Sequence, residues 1–123
     1  MLIIRNEQMQ AFAQDRVQQF EQRVAQHLRT SWGPRCAALR DPEILQSIRE
    51  AAARARAHGL TRVRDVVRYI ELGYRVGPAF EASPPWVGEI LRSDRHPARK
   101  MDEIDRRLKV LELVRAAGSA AHE

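Results

Sequence analysis

The side chains of this chain most able to bind a metal ion or attack a substrate are four histidines and one cysteine: His27, His58, His96, His122 and Cys36. Zinc sites usually draw ligands in pairs a few residues apart, and zinc proteases carry the HExxH pattern. Neither arrangement occurs here. We therefore predict no metal and no cofactor, core-edge or surface positions for the histidines, and a small buried side chain for Cys36.

Carboxylates cluster at Asp102, Glu103 and Asp105, where the last predicted helix begins. The positive end of the helix dipole favours acidic side chains at such a position, which explains the cluster without catalysis. Phosphate-binding glycine loops and the GxSxG motif of hydrolases are both absent from the sequence. We therefore predict that the protein is not an enzyme.

Positive charge makes nucleic acid a partner to consider, since the net charge is +5 and the pI is about 10.3. The best candidate is the arginine series from Arg49 to Arg68, whose short "HGLT" connection resembles that of a helix-turn-helix. Asp65 and Glu71 would meet the phosphates there, which argues against it. Nucleic-acid binding is therefore kept only as a further alternative.

Apolar residues recurring every three or four positions predict helices along the whole chain. The fold class is all-α, a compact bundle of four main helices and one short helix begun by proline. The chain would form one domain over residues 1–123, with a short N-terminal segment 1–5 and a polar tail 118–123. The predicted helices are Asn6–Thr30, one from Asp41 to shortly before Gly59, Thr61–Val76, a short one capped by Ser83, and Ala98–Ala117.

Two of these helices have a clearly predicted core face. In the third main helix it contains Val63, Val66, Val67, Ile70 and Tyr74. In the last helix it contains Met101, Ile104, Leu108, Leu111 and Val114.

The predicted partner-binding residues are Tyr69, Leu72 and Trp86, because buried aromatic anchors dominate protein interfaces. Tyr69 and Leu72 are expected to project away from the valines of the core face. Trp86 follows two prolines in "SPPWVGEIL", and either covers the bundle or joins the interface. A free apolar face would also allow a homodimer.

The N-terminal "MLII" is too short for a signal peptide or a membrane span before Arg5 and Glu7 interrupt it. The single cysteine excludes an internal disulfide. We expect a cytoplasmic protein that does not bind a membrane.

The segments "MLIIRNEQMQAF", "FEQRVAQHL", "HGLTRVRDVVRYIELGYRVGPAF" and "PPWVGEIL" are similar to a group of small bacterial proteins associated with type VI secretion loci. In that group, "IRxEQM", "HGI/LTxxRDVxxYIxL" and "PWxxxIL" recur in this order. The resemblance spans most of the chain, and its motifs are structural. The recurring positions are Ile4, Met9, Arg64, Asp65, Tyr69, Leu72, Pro85, Trp86 and Leu91.

The resemblance implies a cytoplasmic helper protein that binds an effector-loading adaptor, an effector or a toxin. One role is that of an accessory adaptor subunit or co-chaperone. The alternative is an immunity protein that neutralises its toxin, for which the positive charge of the chain would suit an acidic partner.

Overall fold

The computed structural model describes the backbone of residues 6–121 and the side chains of residues 15–118, and every regular element in this range is helical. The prediction of an all-α protein is confirmed. The predicted segment 1–5 lies outside the described residues. In chain order the helices are α1 (Asn6–Ser31), α2 (Gly33–Cys36), α3 (Asp41–Ala57), α4 (Val63–Arg75), α5 (Pro85–Arg92) and α6 (Pro97–Ala121).

The end of α3 shows how the sequence sets a helix boundary. The backbone N–H of Leu60 donates to the carbonyl of Ala55, and that of Gly59 donates to the carbonyl of Arg56. This is the Schellman pattern, which needs a left-handed residue after the helix, and Gly59 has a φ of 81°. The prediction that Gly59 terminates this helix is confirmed.

Other boundaries differ from the prediction. Helix α4 begins at Val63, two residues later than predicted, and no side chain caps its N-terminus. Helix α5 begins after Pro84, one residue later than expected from a Ser83 cap. Helix α6 continues through Gly118 to Ala121, because a glycine costs a helix only about 1 kcal/mol and alanines follow it. The predicted tail 118–123 is therefore helical as far as residue 121.

The chain divides into two compact units, Met1–Ala53 and Arg54–Glu123, with the division inside α3. The single domain stays a prediction. In the first unit, α1 and α2 contact each other, and Cys36 is buried with its thiol 3.7 Å from the carbonyl of Leu28. Burial raises the pKa of this thiol, and the nearby Arg29 opposes the rise only in part. The position predicted for Cys36 is confirmed.

In the second unit, α4 and α5 both pack against α6. The core of this unit is mainly apolar and comes from α4, α5 and α6, from the segment between α4 and α5, and from residues at the end of α3 and just after it. Its large buried side chains include Leu60, Tyr69, Ile70, Phe80, Leu91, Met101 and Ile104. The sequence predicted the share of Met101, Ile104 and Leu108, and their burial is confirmed.

Candidate protein-binding surface

Two of the three predicted partner-binding residues lie in the core of the second unit. Tyr69 is 0% exposed and Leu72 is 4% exposed, so the prediction that they project away from the core is wrong. Val63, which was assigned to the core, is 65% exposed. The physical reason is that the segment after α4 folds back over the side of α4 that carries Tyr69. Phe80 of this segment packs edge-on against Tyr69, with ring centroids 5.1 Å apart. The buried face of α4 is therefore rotated towards Tyr69.

A polar network surrounds the hydroxyl of Tyr69. This hydroxyl donates to Oε1 of Glu81 at 2.6 Å, and Nε2 of His58 lies 2.6 Å from the same oxygen. Burial, followed by the hydrogen bond to Glu81, raises the pKa of Tyr69, so its hydroxyl stays protonated at neutral pH. Burial also favours the neutral form of Glu81, but the hydrogen bonds from Tyr69 and His58 outweigh it, so the pKa of Glu81 is lowered.

This network ties the segment between α4 and α5 to α4 and to the residue after α3. A histidine and a carboxylate in contact can move a proton. The hydroxyl of Tyr69, which donates to the same carboxylate, stays protonated because its pKa is raised. The side chain of Tyr69 is also fully buried, so the hydroxyl is poorly suited to attack a substrate. The arrangement is better suited to positioning the chain than to chemistry.

Lys100 is a buried cation that the sequence reasoning did not single out. Its Nζ donates to the carbonyl of Leu91 at 2.9 Å and to that of His58 at 3.2 Å. These carbonyls lie in the last turn of α5 and just after α3, where helix ends favour a positive charge. The sequence offered one signal that Lys100 could be unusual: Lys100 and Lys109 are the only lysines in a chain whose other basic side chains of this kind are arginines.

Trp86, the third predicted partner-binding residue, is half-buried on α5. The guanidinium carbon of Arg107 lies 5.3 Å from the centroid of its ring, a cation–π distance. Arg107 itself remains partly exposed. Trp86 is therefore only partly accessible to a partner protein, and its part in binding a partner stays a prediction.

The largest exposed apolar side chains of the second unit, apart from Val63, lie near the end of α6. Val110 is 51% exposed, Leu113 is 70% exposed and Val114 is 62% exposed, and Ala117 is exposed as well. We call these four residues the α6 outer stripe. At 100° per residue, the stripe is centred roughly 160° from the buried face formed by Met101, Ile104 and Leu108. The sequence reasoning placed Val114 in the core, and this is wrong.

The α6 outer stripe was missed because α6 carries apolar residues on two opposite faces. Periodicity identifies a face that repeats every three or four residues, and residues 110, 113, 114 and 117 also follow this rule. The face with Met101, Ile104 and Leu108 is buried, whereas the α6 outer stripe remains exposed.

Positively charged side chains border the N-terminal end of the stripe. Arg106 and Arg107 both hydrogen-bond to Glu103, with N–O distances of 2.8 Å. The hydrogen bonds from Arg106 and Arg107 lower the pKa of Glu103 to about 2. Because two guanidinium groups share one carboxylate, this border keeps a surplus of positive charge.

Two of the three arginines of α4, Arg68 and Arg75, are engaged with carboxylates. Arg68 binds Asp102 at 2.8 Å, and Arg75 binds Asp105 at 2.8 Å and Glu112 at 2.6 Å. Asp65, between the arginines in sequence, is buried, and its Oδ2 has no hydrogen-bond partner. Such pairing reduces the positive charge that α4 can offer to phosphates, and it links α4 to α6.

Within the described range, no three or more histidine, cysteine, aspartate or glutamate side chains are arranged to hold a metal ion. No helix in this range has the length and apolar character needed to cross a bilayer. Comparisons with known protein families, curated proteins and solved structures gave no match.

Proposed function

We propose that this chain is a non-enzymatic, protein-binding accessory factor of a bacterial type VI secretion locus. It acts in the cytoplasm as an adaptor subunit or co-chaperone and binds an effector-loading adaptor or an effector. Its contact surface is the α6 outer stripe, and the exposed edge of Trp86, whose ring lies 5.3 Å from the guanidinium carbon of Arg107, is an aromatic candidate to extend it.

The observation that carries the binding function is the exposure of Val110, Leu113 and Val114 together on one helix face. Single exposed apolar side chains are ordinary, but a contiguous exposed set on one surface marks an interaction site. The set lies on the same helix as Met101, Ile104 and Leu108, whose burial anchors the preceding turns of α6 in the core. This supports a binding role more directly than the buried residues Tyr69 and Leu72 do.

The secretion context comes from the resemblance of the sequence motifs. Several recurring positions, among them Asp65, Tyr69, Leu72 and Leu91, are buried in the second unit. They support the fold that such proteins would share, and a partner would be selected elsewhere on the surface.

An immunity protein is the second candidate, and the positive border of the stripe favours it. A toxin with an acidic surface would be attracted by Arg106 and Arg107, whose charge exceeds that of the shared Glu103. The two roles use the same surface and differ in the partner.

The test is a pull-down from the producing cell at high salt, using the wild-type chain and Leu113→Asp. Val63→Asp is the matched control, because it introduces the same charge at an equally exposed apolar side chain outside the stripe. We expect the wild type and Val63→Asp to capture an adaptor, spike or effector protein, and Leu113→Asp to lose it. Loss of effector export in a deletion strain would support the adaptor role, and protection of a cell that makes the captured toxin would support immunity.

Nucleic acid as the sole captured partner, released from the bait by the high-salt wash, would overturn the proposed function. So would a wild-type chain that captures no protein of the secretion locus.

A further inference from the structure

We infer that the partner holds the end of α6 in an apolar groove with an acidic rim, into which the α6 outer stripe inserts. This inference rests on the protein-binding function proposed above and adds the mode of binding and the chemistry of the partner.

The spacing of the stripe supports a groove. Its residues follow the series i, i+3, i+4 and i+7, the anchor pattern of a helix that lays its apolar face into a groove. Beyond Glu112, moreover, each residue from Leu113 to Gly118 is exposed. The walls of a groove could therefore contact the sides of the helix as well as the stripe.

The small size of the stripe argues against a second copy of this chain as the occupant. Each partner in a stable interface of standard size contributes about 20–30 residues and buries about 800 Å². Two flat stripes of four small or medium side chains provide far less. A parallel pairing would also bring Arg106 and Lys109 next to their own copies. A groove avoids both problems, because most of the contact area comes from the partner.

The charges around the stripe indicate what should line the rim. Arg106 and Arg107 share Glu103, and Lys109 shares Asp105 with Arg75. At Glu103 two cations are held by one carboxylate, so additional carboxylates would be attracted there, whereas Asp105 and Glu112 together balance Lys109 and Arg75. Carboxylates on the rim would complement these charges and fix the direction of the helix in the groove.

Photo-crosslinking in the producing cell tests this geometry. A benzophenone amino acid replaces Leu113 in the full chain, and the same replacement at Val63 is the control. We expect the Leu113 position to crosslink to one protein and the Val63 position to give no such adduct. Mapping of the attached peptide should place it in a concave apolar surface bordered by Asp or Glu side chains. An adduct with a second copy of this chain, or attachment to a flat or basic surface, would overturn the inference.

Affinity measurements with the captured protein provide the second test. Leu113→Asp should weaken binding by about 30-fold or more, as expected for the central anchor of an interface. Arg106→Glu should weaken it by about tenfold at low salt and less at high salt, because rim charges are screened. Both variants change exposed side chains, so circular dichroism should show an unchanged helix content.

The two proposals fail in different ways. If the wild type captures a protein of the secretion locus and Leu113→Asp binds it equally well, the groove is wrong and the binding function stands. If the wild type captures no such protein, the proposed function itself is wrong.

Discussion

The hydroxyl of Tyr69 and the carboxylate of Glu81 are 2.6 Å apart, and this contact joins the middle of α4 to the segment that follows it. The segment thereby covers a side of α4 that would otherwise face solvent. The ring of Tyr69 packs against Phe80 in the same region, so one residue is held by both a polar and an apolar contact.

Tyr69→Phe should lower the free energy of unfolding by about 1 kcal/mol, because Glu81 loses one donor and keeps His58. Tyr69→Ala should cost about 3–5 kcal/mol, since it also leaves a cavity. Urea unfolding followed by circular dichroism measures both values. Val63→Ala is the control and should remain within about 0.5 kcal/mol of the wild type. A stable Tyr69→Ala variant would contradict the buried position.

Acid should weaken the contact between Glu81 and its partners. The pKa of Glu81 is lowered in the folded protein, so the folded state binds the proton less readily than the unfolded chain does. Its contribution to stability is therefore complete above the ordinary pKa of 4.5 and is lost as the pH falls through the lowered value. In urea unfolding between about pH 6 and about pH 3, the stability difference between the wild type and Glu81→Gln should shrink towards low pH. A constant difference would contradict the lowered pKa.

Periodicity in the sequence located the five longer helices, and Gly59 marked the end of α3 correctly. Periodicity did not predict which side of α4 is buried. The side covered by Phe80 and Glu81 depends on how the segment after α4 folds back. A local pattern of valines carries no information about that contact. The exposure of Val63 and the burial of Tyr69 are two results of the same tertiary contact.

The candidate surface was harder to predict for a related reason. Both faces of α6 are apolar at helical spacing, and the sequence alone does not show which face meets α4 and α5. Burial of Met101, Ile104 and Leu108 resolves this, and the α6 outer stripe is what remains exposed. The motif residues that resemble other proteins gave no guide to it, since Tyr69 and Leu72 lie in the core.

Removal of the buried cation at residue 100 should destabilise the second unit. Lys100→Met leaves the carbonyls of Leu91 and His58 without this donor, at a cost of about 1–3 kcal/mol. Lys109→Met is a matched control, because Lys109 is exposed and makes only a surface ion pair with Asp105. It should change stability by less than about 1 kcal/mol. Equal losses in the two variants, measured by urea unfolding, would show that Lys100 does not bridge these carbonyls.

The close approach of α5 to the preceding segment should make Gly88 intolerant of a side chain. A Cβ at this position would overlap the carbonyl oxygen of Glu81 and lie 2.8 Å from Nη1 of Arg92. The arginine can move, but the carbonyl belongs to the backbone of a segment held by Tyr69 and His58. Gly88→Ala should therefore cost about 1–3 kcal/mol, although alanine is the better helix former.

Gly118→Ala is the natural comparison, since no atom outside its chain neighbours and the local helix backbone lies within 4 Å of the Cβ position there and α6 continues past it. It should leave stability unchanged or raise it by up to about 1 kcal/mol. Thermal unfolding of the two variants separates helix propensity from packing, because propensity alone predicts a gain at both glycines. A gain at Gly88 would mean that α5 and the segment containing Glu81 are not in close contact.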